Sequence, residues 1–292
     1  MERKCIVCGK KLPAKELMEL KKMPASAQDI PDASQVKEDA AVDLKLYSCP
    51  GCGLIQFSCE PVSYYRDVIR SGGFSTTMVE LRRAQYRYLI DTYGLEGKKF
   101  LEVGCGQGEF LSVLKEFPVE VYGIEHKEEL VKLARERGLQ VERDFLGEGG
   151  HMLKDGPFDV FLSFNFLEHQ PDPNGMLEGI YDNLAEDGMG LITVPSFEYI
   201  MEHDGYYELI RDHLAYYTFD SLRILLEKNG FIVLKEELIN RDTLSVIVKK
   251  RKQPDVSKIA ESYKEIPQQI QEFVEQAIRK EKKVAIWGDS HQ

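Results

Sequence analysis

Hydrophobic positions in the central part of the chain alternate between two kinds of pattern. Short apolar segments predict β-strands, and between them apolar residues recur every three or four positions, which is typical of helices that bury one face. The segment 158–164 is apolar on both faces, as expected of a central strand in a parallel sheet. The predicted strands are 100–103, 119–124, one beginning at 141, 158–164, 190–194, 231–238 and 244–249, and the predicted helices are 110–117, 128–137, 176–184 and 219–229. This alternation predicts an α/β fold with a doubly wound, mostly parallel sheet that ends in an antiparallel strand pair.

The segments on either side differ from this region, and they divide the chain into three predicted domains. Residues 1–62 form a small unit with a cysteine pair near each end and a polar stretch over 24–42. Residues 63–250 hold a helical segment over 63–93 and then the alternating region. Residues 251–292 predict a helix or helix pair broken near Pro267, followed by a strand over 284–289 that enters a tight turn.

Composition and charge exclude several classes of protein. The apolar share of 43% and the charged share of 30% are typical of a globular chain, and no run of 18 apolar residues predicts a membrane span. The polar N-terminus lacks the apolar core of a signal peptide, so we expect a cytoplasmic protein without a membrane partner. A net charge of −11 makes nucleic acid an unfavourable partner, although the first 22 residues carry seven Lys/Arg against three Glu.

Four of the six cysteines form two Cys-x-x-Cys pairs, Cys5 with Cys8 and Cys49 with Cys52, each followed by glycine. In a cytoplasmic chain such pairs are more typical of a metal site than of disulfides. Two intervening residues let both sulfurs reach one ion, and two pairs complete a closed tetrahedral site, which is structural because no position is left for a substrate. The sequence therefore predicts an N-terminal domain with structural Zn²⁺; the alternative is four incidental cysteines.

A glycine-rich loop follows the first predicted strand of the central region, with the sequence E-V-G-C-G-Q-G over 102–108. Its glycines allow positive φ and close approach of a ligand to the backbone, and the helix that follows offers free N–H groups. A dinucleotide motif would place glycine or alanine where this chain has glutamate, so a pyrophosphate is disfavoured. The pattern resembles motif I of the class I methyltransferases, which implies a Rossmann-like, seven-stranded sheet with S-adenosylmethionine as cofactor, bound by Glu102, Gly104, Cys105, Gly106 and Gly108. A plain structural turn is the alternative.

Further candidates for cofactor binding follow the next predicted strands. Glu125 ends the second strand, where a carboxylate typically accepts two ribose hydroxyls, and His126 beside it is included, although a solvent-exposed position is the simpler interpretation. The resemblance places the adenine at Asp144 and Phe145 and the methionine moiety at Asn165. The residues that precede the core, Tyr64, Tyr65, Phe74 and Ser75, are candidates either for covering the cofactor or for packing.

The whole arrangement resembles one family more closely. A cysteine-pair domain, a class I methyltransferase core and a terminal strand over 284–288 are similar to the three-domain sugar C-methyltransferases, with the third domain reduced here to its first strand. The segment N-F-L-E-H over 165–169 and the segment D-H-L-A-Y-Y-T over 212–218 match histidine-containing stretches of that family. The family often has Tyr-x-Glu-His before the second stretch, whereas this chain has Ile210-Arg211-Asp212-His213, so the tyrosine is missing and aspartate replaces glutamate. The resemblance implies a small-molecule acceptor, a nucleotide-linked keto-deoxysugar.

Methylation at carbon requires removal of a proton beside a ketone, and histidine suits this task because its pKa lies near neutrality. We therefore expect His213 to be the general base, His169 to assist or to bind the enolate oxygen, and Asp212 to fix the tautomer of His213 or to raise its basicity. The alternatives are a surface or capping role for His213, and helix-capping or packing roles for His169 and for Glu168 beside it.

Three other functions remain open from the sequence. An O- or N-methyltransferase acting on another small molecule or glycan would need the base less. A zinc-knuckle RNA methyltransferase would use the basic N-terminal segment, as some ribosomal RNA methyltransferases join such a knuckle to this fold. A noncatalytic module would bind S-adenosylmethionine and never turn it over.

Overall fold

The structure is a computed structural model that describes residues 3–28, 31–34, 40–66, 75–147, 149–285 and 288. The strands of these residues are β1 (Met18–Met23), β2 (Val42–Ser48), β3 (Ile55–Phe57), β4 (Lys99–Val103), β5 (Glu120–Glu125), β6 (Gln140–Arg143), β7 (Phe158–Phe164), β8 (Leu184–Pro195), β9 (Ala215–Tyr216), β10 (Phe231–Ile239) and β11 (Thr243–Lys250). The helices are α1 (Thr76–Tyr93), α2 (Glu109–Leu114), α3 (Glu128–Glu136), α4 (Pro173–Asp182), α5 (Phe197–Glu202), α6 (Phe219–Lys228) and α7 (Ser257–Arg279), and 3-10 turns occur at Leu167–His169 and Tyr206–Glu208.

Seven strands form the central sheet in the order β10-β11-β8-β7-β4-β5-β6. The pairs from β8 to β6 are parallel, and β11 pairs antiparallel with both β8 and β10. The predicted doubly wound α/β sheet with a terminal antiparallel pair is thus confirmed. The chain leaves β4 toward β5 on one side and later returns through β7 on the other, so the strand order reverses at β4. Ligands of such folds bind at the carboxyl ends of the strands beside this reversal.

A second, smaller sheet has the order β1-β2-β3-β9. Its first three strands come from the N-terminal region, while β9 comes from the segment between α5 and α6. Strand β9 pairs antiparallel with β3 through Ile55 opposite Tyr216 and Gln56 opposite Ala215. The hydrophobic pattern did not predict this sheet, because β3 and β9 are only three and two residues long and about 160 positions apart in the sequence.

One hydrophobic core joins the cysteine pairs to the central sheet. Val7, Tyr47 and Leu54 are buried in the same cluster as Leu101 and Tyr217. Contacts between residues divide the chain into two units, and the boundary lies between Arg251 and Lys252. The cysteine-rich segment therefore belongs to the same contact unit as the central sheet. The domain limits predicted at 62/63 and 250/251 stay predictions.

Two helices differ from their predicted form. The helical segment expected over 63–93 begins only at Thr76, because Ser75 caps the helix and its hydroxyl accepts a hydrogen bond from the N–H of Met78. Residues 63–66 form a turn, and 67–74, including the candidate Phe74, lie outside the described residues. The break expected near Pro267 is wrong, since α7 is continuous through it. A proline removes one hydrogen bond, and a carbonyl on an exposed helix can bind water in its place.

The predicted terminal strand is only partly described. Val284 and Ala285 belong to no strand, and Ile286, Trp287 and Asp289 lie outside the described residues. Among the helices that the structure describes, none combines the length and the hydropathy needed to cross a membrane.

Candidate active site

The glycine-rich loop connects β4 to α2 at the carboxyl edge of the central sheet. Gly104, Gly106 and Gly108 have φ values of 69°, 59° and 80°, which side chains disfavour. A Cβ at Gly108 would lie 2.2 Å from Cδ1 of Leu139, so this position also requires the absence of a side chain. The loop is fastened to β5, because the N–H groups of Gly104 and Cys105 both donate to the carbonyl of Ile124 at 3.0 Å.

Two predicted carboxylates lie beside this loop and are buried. Glu102 at the end of β4 is 0% exposed, and Glu125 at the end of β5 is 1% exposed. Glu125 accepts hydrogen bonds from the N–H of Gly106 at 3.0 Å and from the N–H of Lys127 at 2.8 Å. The structure therefore brings Glu125 together with the glycine loop, as a buried carboxylate that accepts a hydrogen bond from the loop backbone.

A cavity of about 730 Å³ is lined in part by residues that follow β5 and β6. Its walls include the predicted residues His126, Asp144 and Phe145, but not the glycine loop itself. Sequence reasoning missed His151, whose Nε2 lies 2.8 and 2.9 Å from the two carboxylate oxygens of Asp144. No spacing in the sequence marks this contact. The remaining walls are Tyr65, Arg66, Arg143, Gly147, Gln170, Pro171 and Asp172.

Asn165 follows β7 and is held at the sheet edge in a left-handed conformation, with φ of 48°. Its Oδ1 accepts a hydrogen bond from the hydroxyl of Thr193 at 2.9 Å. The guanidinium of Arg82 donates to the same hydroxyl at 3.3 Å and lies 3.7 Å from the ring centroid of Phe164. Arg82 is 1% exposed, so this network fixes the end of β7 from inside the core. The buried arginine on α1 was not identified from the sequence.

The two candidate histidines meet close to Asn165. The rings of His169 and His213 contact each other edge to face, with centroids 4.7 Å apart. Two backbone hydrogen bonds bring their segments together: the N–H of Leu214 donates to the carbonyl of Glu168 at 2.8 Å, and the N–H of Phe57 on β3 donates to the carbonyl of Leu214 at 3.0 Å. The small sheet thus positions His213 against the 3-10 turn that carries His169.

The tautomer of His169 follows from its surroundings. Its Nδ1 lies 2.8 Å from the carbonyl oxygen of Asp212, and because a carbonyl only accepts, Nδ1 carries the proton and Nε2 has a lone pair. Burial lowers the pKa of His169, although the carbonyl and the charge of Asp212 oppose this. Burial and the neighbouring His169 place the pKa of His213 well below its usual value. Both rings are therefore neutral at neutral pH.

The carboxylate of Asp212 has partners outside the histidine pair. Its two oxygens accept hydrogen bonds from the hydroxyl of Tyr64 at 2.7 Å and from the N–H of Ala27 at 2.8 Å. These are the hydrogen bonds of that carboxylate among the described residues, and the expected fixing of the His213 tautomer by Asp212 stays a prediction. The backbone carbonyl of Asp212 orients His169. The sequence indicated Tyr64 only as a possible cover for the cofactor.

Glu168 is a buried acid beside His169. It is 2% exposed, its Oε1 lies 4.0 Å from Nε2 of His169, and its Oε2 has no hydrogen-bond partner among the described residues. Burial without a charged partner raises its pKa to about 8. The hydroxyl of Tyr217, fully buried, also has no hydrogen-bond partner in the described part of the chain.

The four predicted zinc ligands converge at one point, with all four sulfurs within 4.8 Å of one another. Sγ of Cys5 lies 3.5 Å from Sγ of Cys52, and Sγ of Cys8 lies 3.4 Å from Sγ of Cys49. Tetrahedral Zn²⁺ with ~2.3 Å bonds needs sulfurs roughly 3.8 Å apart, so small shifts would accommodate the ion. The donor set of four thiols is the one that zinc prefers in closed sites.

The two Cys-x-x-Cys-Gly segments, here called knuckles, share one backbone hydrogen bond. The N–H of Gly9 donates to the carbonyl of Cys5 at 2.9 Å, and the N–H of Gly53 donates to the carbonyl of Cys49 at 3.0 Å. Burial raises the pKa of Cys5 to about 11. Burial would also raise the pKa of Cys49, but the N–H groups of Cys52 and Gly51 donate to its sulfur and lower the pKa to about 7. The thiolate form of Cys49, which is the form that binds a metal ion, is therefore favoured.

Comparison with known proteins decides the family. Residues 78–236 match a family model described as a methyltransferase domain, which is more than half of the 292 residues. The chain belongs to this methyltransferase family. S-adenosylmethionine is the cofactor of the family, and the predicted enzyme class is confirmed. The crystal structure of the PH0226 protein from Pyrococcus horikoshii OT3 shares the fold, with a TM-score of 0.51 and 16% identity over 66% of this chain and all of that chain.

Curated relatives include methyltransferases that act at carbon and at oxygen. C-methyltransferase NovU of Streptomyces niveus is 22% identical over 239 residues, which cover 79% of this chain and 56% of NovU. A ubiquinone biosynthesis O-methyltransferase of Idiomarina loihiensis is 34% identical over 102 residues, which cover 33% of this chain and 42% of that protein. The methyltransferase chain thus spans about half the length of the curated relatives it matches.

The residues of the site fit the family's cofactor. The positive-φ glycine turn permits close approach of a ligand, the buried carboxylate of Glu125 lies beside this turn, and the cavity at Asp144 and Phe145 has a volume typical of small-ligand sites. No phosphate needs to be neutralised in this methyltransferase, so the acidic loop is compatible with the ligand.

Proposed function

We propose that this methyltransferase transfers the methyl group to a carbon atom of a nucleotide-linked keto-deoxysugar. The observation that carries the proposal is the neutral pair His169 and His213 at the end of β7, with ring centroids 4.7 Å apart. A neutral imidazole can accept a proton from carbon beside a ketone, and such general-base catalysis typically contributes ~10²–10⁴-fold. The similarity to a C-methyltransferase over 79% of the chain supports the same acceptor atom.

The proposed roles follow from the geometry. S-adenosylmethionine supplies a methyl group that leaves sulfur as the electron pair of the acceptor carbon forms the new bond, so adenosylhomocysteine is the by-product. His213 accepts the proton of that carbon, and His169 faces the enolate oxygen. Asp212 orients His169 through its carbonyl and holds Tyr64 through its carboxylate.

Cofactor binding is assigned to the predicted set at the carboxyl edge of the sheet. Glu125 accepts the ribose hydroxyls, and its hydrogen bond from Gly106 keeps the loop in place. His126, Asp144 and Phe145 line the cavity that receives the adenine. The remaining members of the set are Glu102, Gly104, Cys105, Gly108 and Asn165.

We also propose that Cys5, Cys8, Cys49 and Cys52 hold a structural Zn²⁺. The proposal rests on the convergence of the four sulfurs and on the N–H of Gly51, which donates to Sγ of Cys49 at 3.3 Å. A fully thiol-coordinated ion leaves no open position, so its role is to tie the two knuckles together.

A second candidate function is methyl transfer to oxygen. It is favoured by the 34% identity to an O-methyltransferase over 102 residues of the core. A hydroxyl acceptor ionises more readily than carbon, so such a reaction would depend less on His213.

The release of adenosylhomocysteine tests the proposal. Purified, zinc-loaded protein is incubated with S-adenosylmethionine and a panel of keto-deoxysugar nucleotides, with catechols and other hydroxyl acceptors as the comparison set. We expect release with one of the keto-sugars. Release with hydroxyl acceptors alone would establish the second candidate, and no release with either set while the cofactor binds would contradict both.

A further inference from the structure

Three side chains of the types that bind metal ions lie close together at the histidine pair. They are far in the sequence from the four cysteines. Donor atoms of Glu168, His169 and His213 all lie within 4.8 Å of one another. We propose that these three residues form a second metal site, which binds one divalent transition-metal ion. This inference rests on the proposed function, because it concerns how the same histidine site activates the acceptor.

The first argument is the direction of the lone pairs. The Nδ1–H of His169 is committed to the carbonyl of Asp212, so Nε2 presents a lone pair, and the nearest carboxylate oxygen is Oε1 of Glu168 at 4.0 Å. At 4.0 Å the two atoms make no hydrogen bond to each other, and a cation between them could bind both. An ion at that point would satisfy both.

The second argument is the supporting contact of His169. Histidine ligands of metals almost always donate their other ring N–H to a carbonyl, a carboxylate or water, which fixes the tautomer and the ring orientation. The contact of 2.8 Å from Nδ1 of His169 to the carbonyl of Asp212 has this form. A histidine that served only in packing would not need its second nitrogen turned toward a buried carboxyl.

The third argument is the state of Glu168. This residue is 2% exposed, and its Oε2 has no partner among the residues that the structure describes. A buried carboxyl without partners is costly, and a bound cation removes this cost.

Geometry and access are compatible with an ion. Bonds of ~2.1 Å in a tetrahedral arrangement place donors roughly 3.4 Å apart, so the 4.0 Å between Nε2 of His169 and Oε1 of Glu168 must shorten by a few tenths of an ångström. The side chain of His169 is 14% exposed, which leaves an open side. Two histidines and one carboxylate with open positions are typical of catalytic rather than structural metal sites.

The consequence concerns acceptor activation. With the ion bound, the nitrogens of His169 and His213 would serve as ligands. The ion would stabilise the negative charge on the acceptor oxygen in place of His169, and a hydroxide on the ion would accept the carbon-bound proton in place of His213 and become bound water. Metal-free protein then relies on the histidines alone. Methyl transfer is therefore expected to depend on a divalent ion that is distinct from the structural zinc.

Titration with Co²⁺ separates the two sites. Ions bound to the four cysteines give intense thiolate-to-metal absorption, whereas a site of nitrogen and oxygen ligands adds only weak visible bands. We expect wild-type protein to bind two Co²⁺ per chain and His213→Ala to bind one, with the thiolate absorption unchanged. Glu168→Gln keeps the shape of the side chain and should weaken the second ion by at least ~10-fold. His203→Ala is the matched control, because this histidine is exposed and stacks on Tyr199, and it should bind two.

Binding of a single ion by the wild type, or two by Glu168→Gln and His213→Ala alike, would overturn the proposal. The thiolate absorption reports that each variant has folded around its cysteine cluster, so loss of the second ion cannot be confused with unfolding. Methyl transfer is measured on the same samples. Turnover by protein that never binds a second ion leaves the proposed function intact and rejects the metal site, whereas binding of two ions without turnover of any acceptor rejects the proposed function alone.

Discussion

The two histidine rings are placed by backbone contacts to neighbouring segments. His169 and His213 are 44 positions apart in the sequence, and the hydrogen bond from Leu214 to the carbonyl of Glu168 brings them together. Both histidines were predicted because their segments resemble histidine-containing stretches of the sugar C-methyltransferases, and because histidine suits proton transfer near neutral pH. The buried carboxyl of Glu168 and the pairing of Asp212 with Tyr64 could not be predicted, because nothing in the local pattern reports which side chains face each other across β9.

Replacement of His213 tests the role of the pair. If His213 accepts the proton itself, His213→Ala removes the proton acceptor. If His213 binds the proposed second metal ion, the variant removes a ligand of that ion. In both cases turnover should fall by at least ~100-fold. Adenosylhomocysteine binding, measured by calorimetry, should be unchanged, because the ring does not line the cavity at Asp144. His203→Ala should keep wild-type turnover. Wild-type turnover in His213→Ala would refute the assignment.

Replacement of Glu125 tests the cofactor site. Glu125→Ala removes the acceptor for the N–H groups of Gly106 and Lys127 and for the ribose hydroxyls, and hydrogen bonds to a charged group contribute about 1.5–3 kcal/mol each. We expect the Kd for adenosylhomocysteine to rise by roughly 10–100-fold in calorimetric titration. Glu128→Ala, which removes an exposed carboxylate that contacts Arg143, is the matched control. Equal affinities in the two variants would contradict the ribose assignment.

Among the elements, the turn from β4 to α2 is the most constrained. Its three glycines have positive φ, and Gly108 lies against Leu139, the residue that directly precedes β6. The sequence motif predicted this turn well, because glycine adopts such a backbone without strain and the spacing of glycines is visible directly. The alternating strands and helices of the central sheet were likewise predicted, since each buries enough apolar side chains to leave a periodic pattern.

The turn can be tested by adding a single methyl group. Gly108→Ala combines positive-φ strain with a contact of 2.2 Å to Cδ1 of Leu139, whereas Gly97→Ala has a φ of 71° and no atom within 4 Å of the new Cβ. Overpacking in a core typically costs ~1–3 kcal/mol, so Gly108→Ala should lose that much more free energy of unfolding than Gly97→Ala. Urea denaturation measures both values. A larger loss in Gly97→Ala would show that the turn is not packed as described.

The small sheet could not be predicted from the local pattern of hydrophobic and polar residues. Strands β3 and β9 are too short to show an alternation, and their pairing depends on the distant partner rather than on their own residues. The start of α1 was misjudged for a related reason, since its apolar spacing extends to residues before Ser75 and only the cap reveals where the helix begins. Short elements defined by tertiary contacts are therefore the part of the fold that sequence reasoning missed.

The first contact unit contains both the cysteine cluster and the histidines His169 and His213. Asn174 on α4 donates to the carbonyls of Ile6 and Val7 at 2.7 and 3.1 Å, and Lys228 on α6 donates to the carbonyl of Val7 at 2.6 Å. Strand β3 continues from the second knuckle and pairs with β9, which follows His213 directly. An ion that holds the knuckles together thus also holds the segment that presents His213.

Loss of one cysteine tests this connection. Cys52→Ser should bind no zinc at the cluster and lower the Tm by at least ~5 °C, since each kcal/mol of lost stability corresponds to ~2–4 °C in a chain of this size. Methyl transfer should fall with it, because β3 and β9 lose their anchor. Cys59→Ser, half-buried and outside the cluster, should change neither. Zinc content and a thermal scan of both proteins provide the measurement, and an unchanged Tm in Cys52→Ser would argue against a structural ion.

The position of the transferred methyl group tests the central claim most directly. Protein is incubated with S-adenosylmethionine labelled with ¹³C in the methyl group and with the keto-deoxysugar nucleotide that supports adenosylhomocysteine release, and the product is analysed by NMR. The account predicts a labelled methyl bonded to a sugar carbon beside the ketone, formed by the wild type and absent with His213→Ala. A labelled methyl on oxygen, or the same carbon-bound product from His213→Ala, would contradict it.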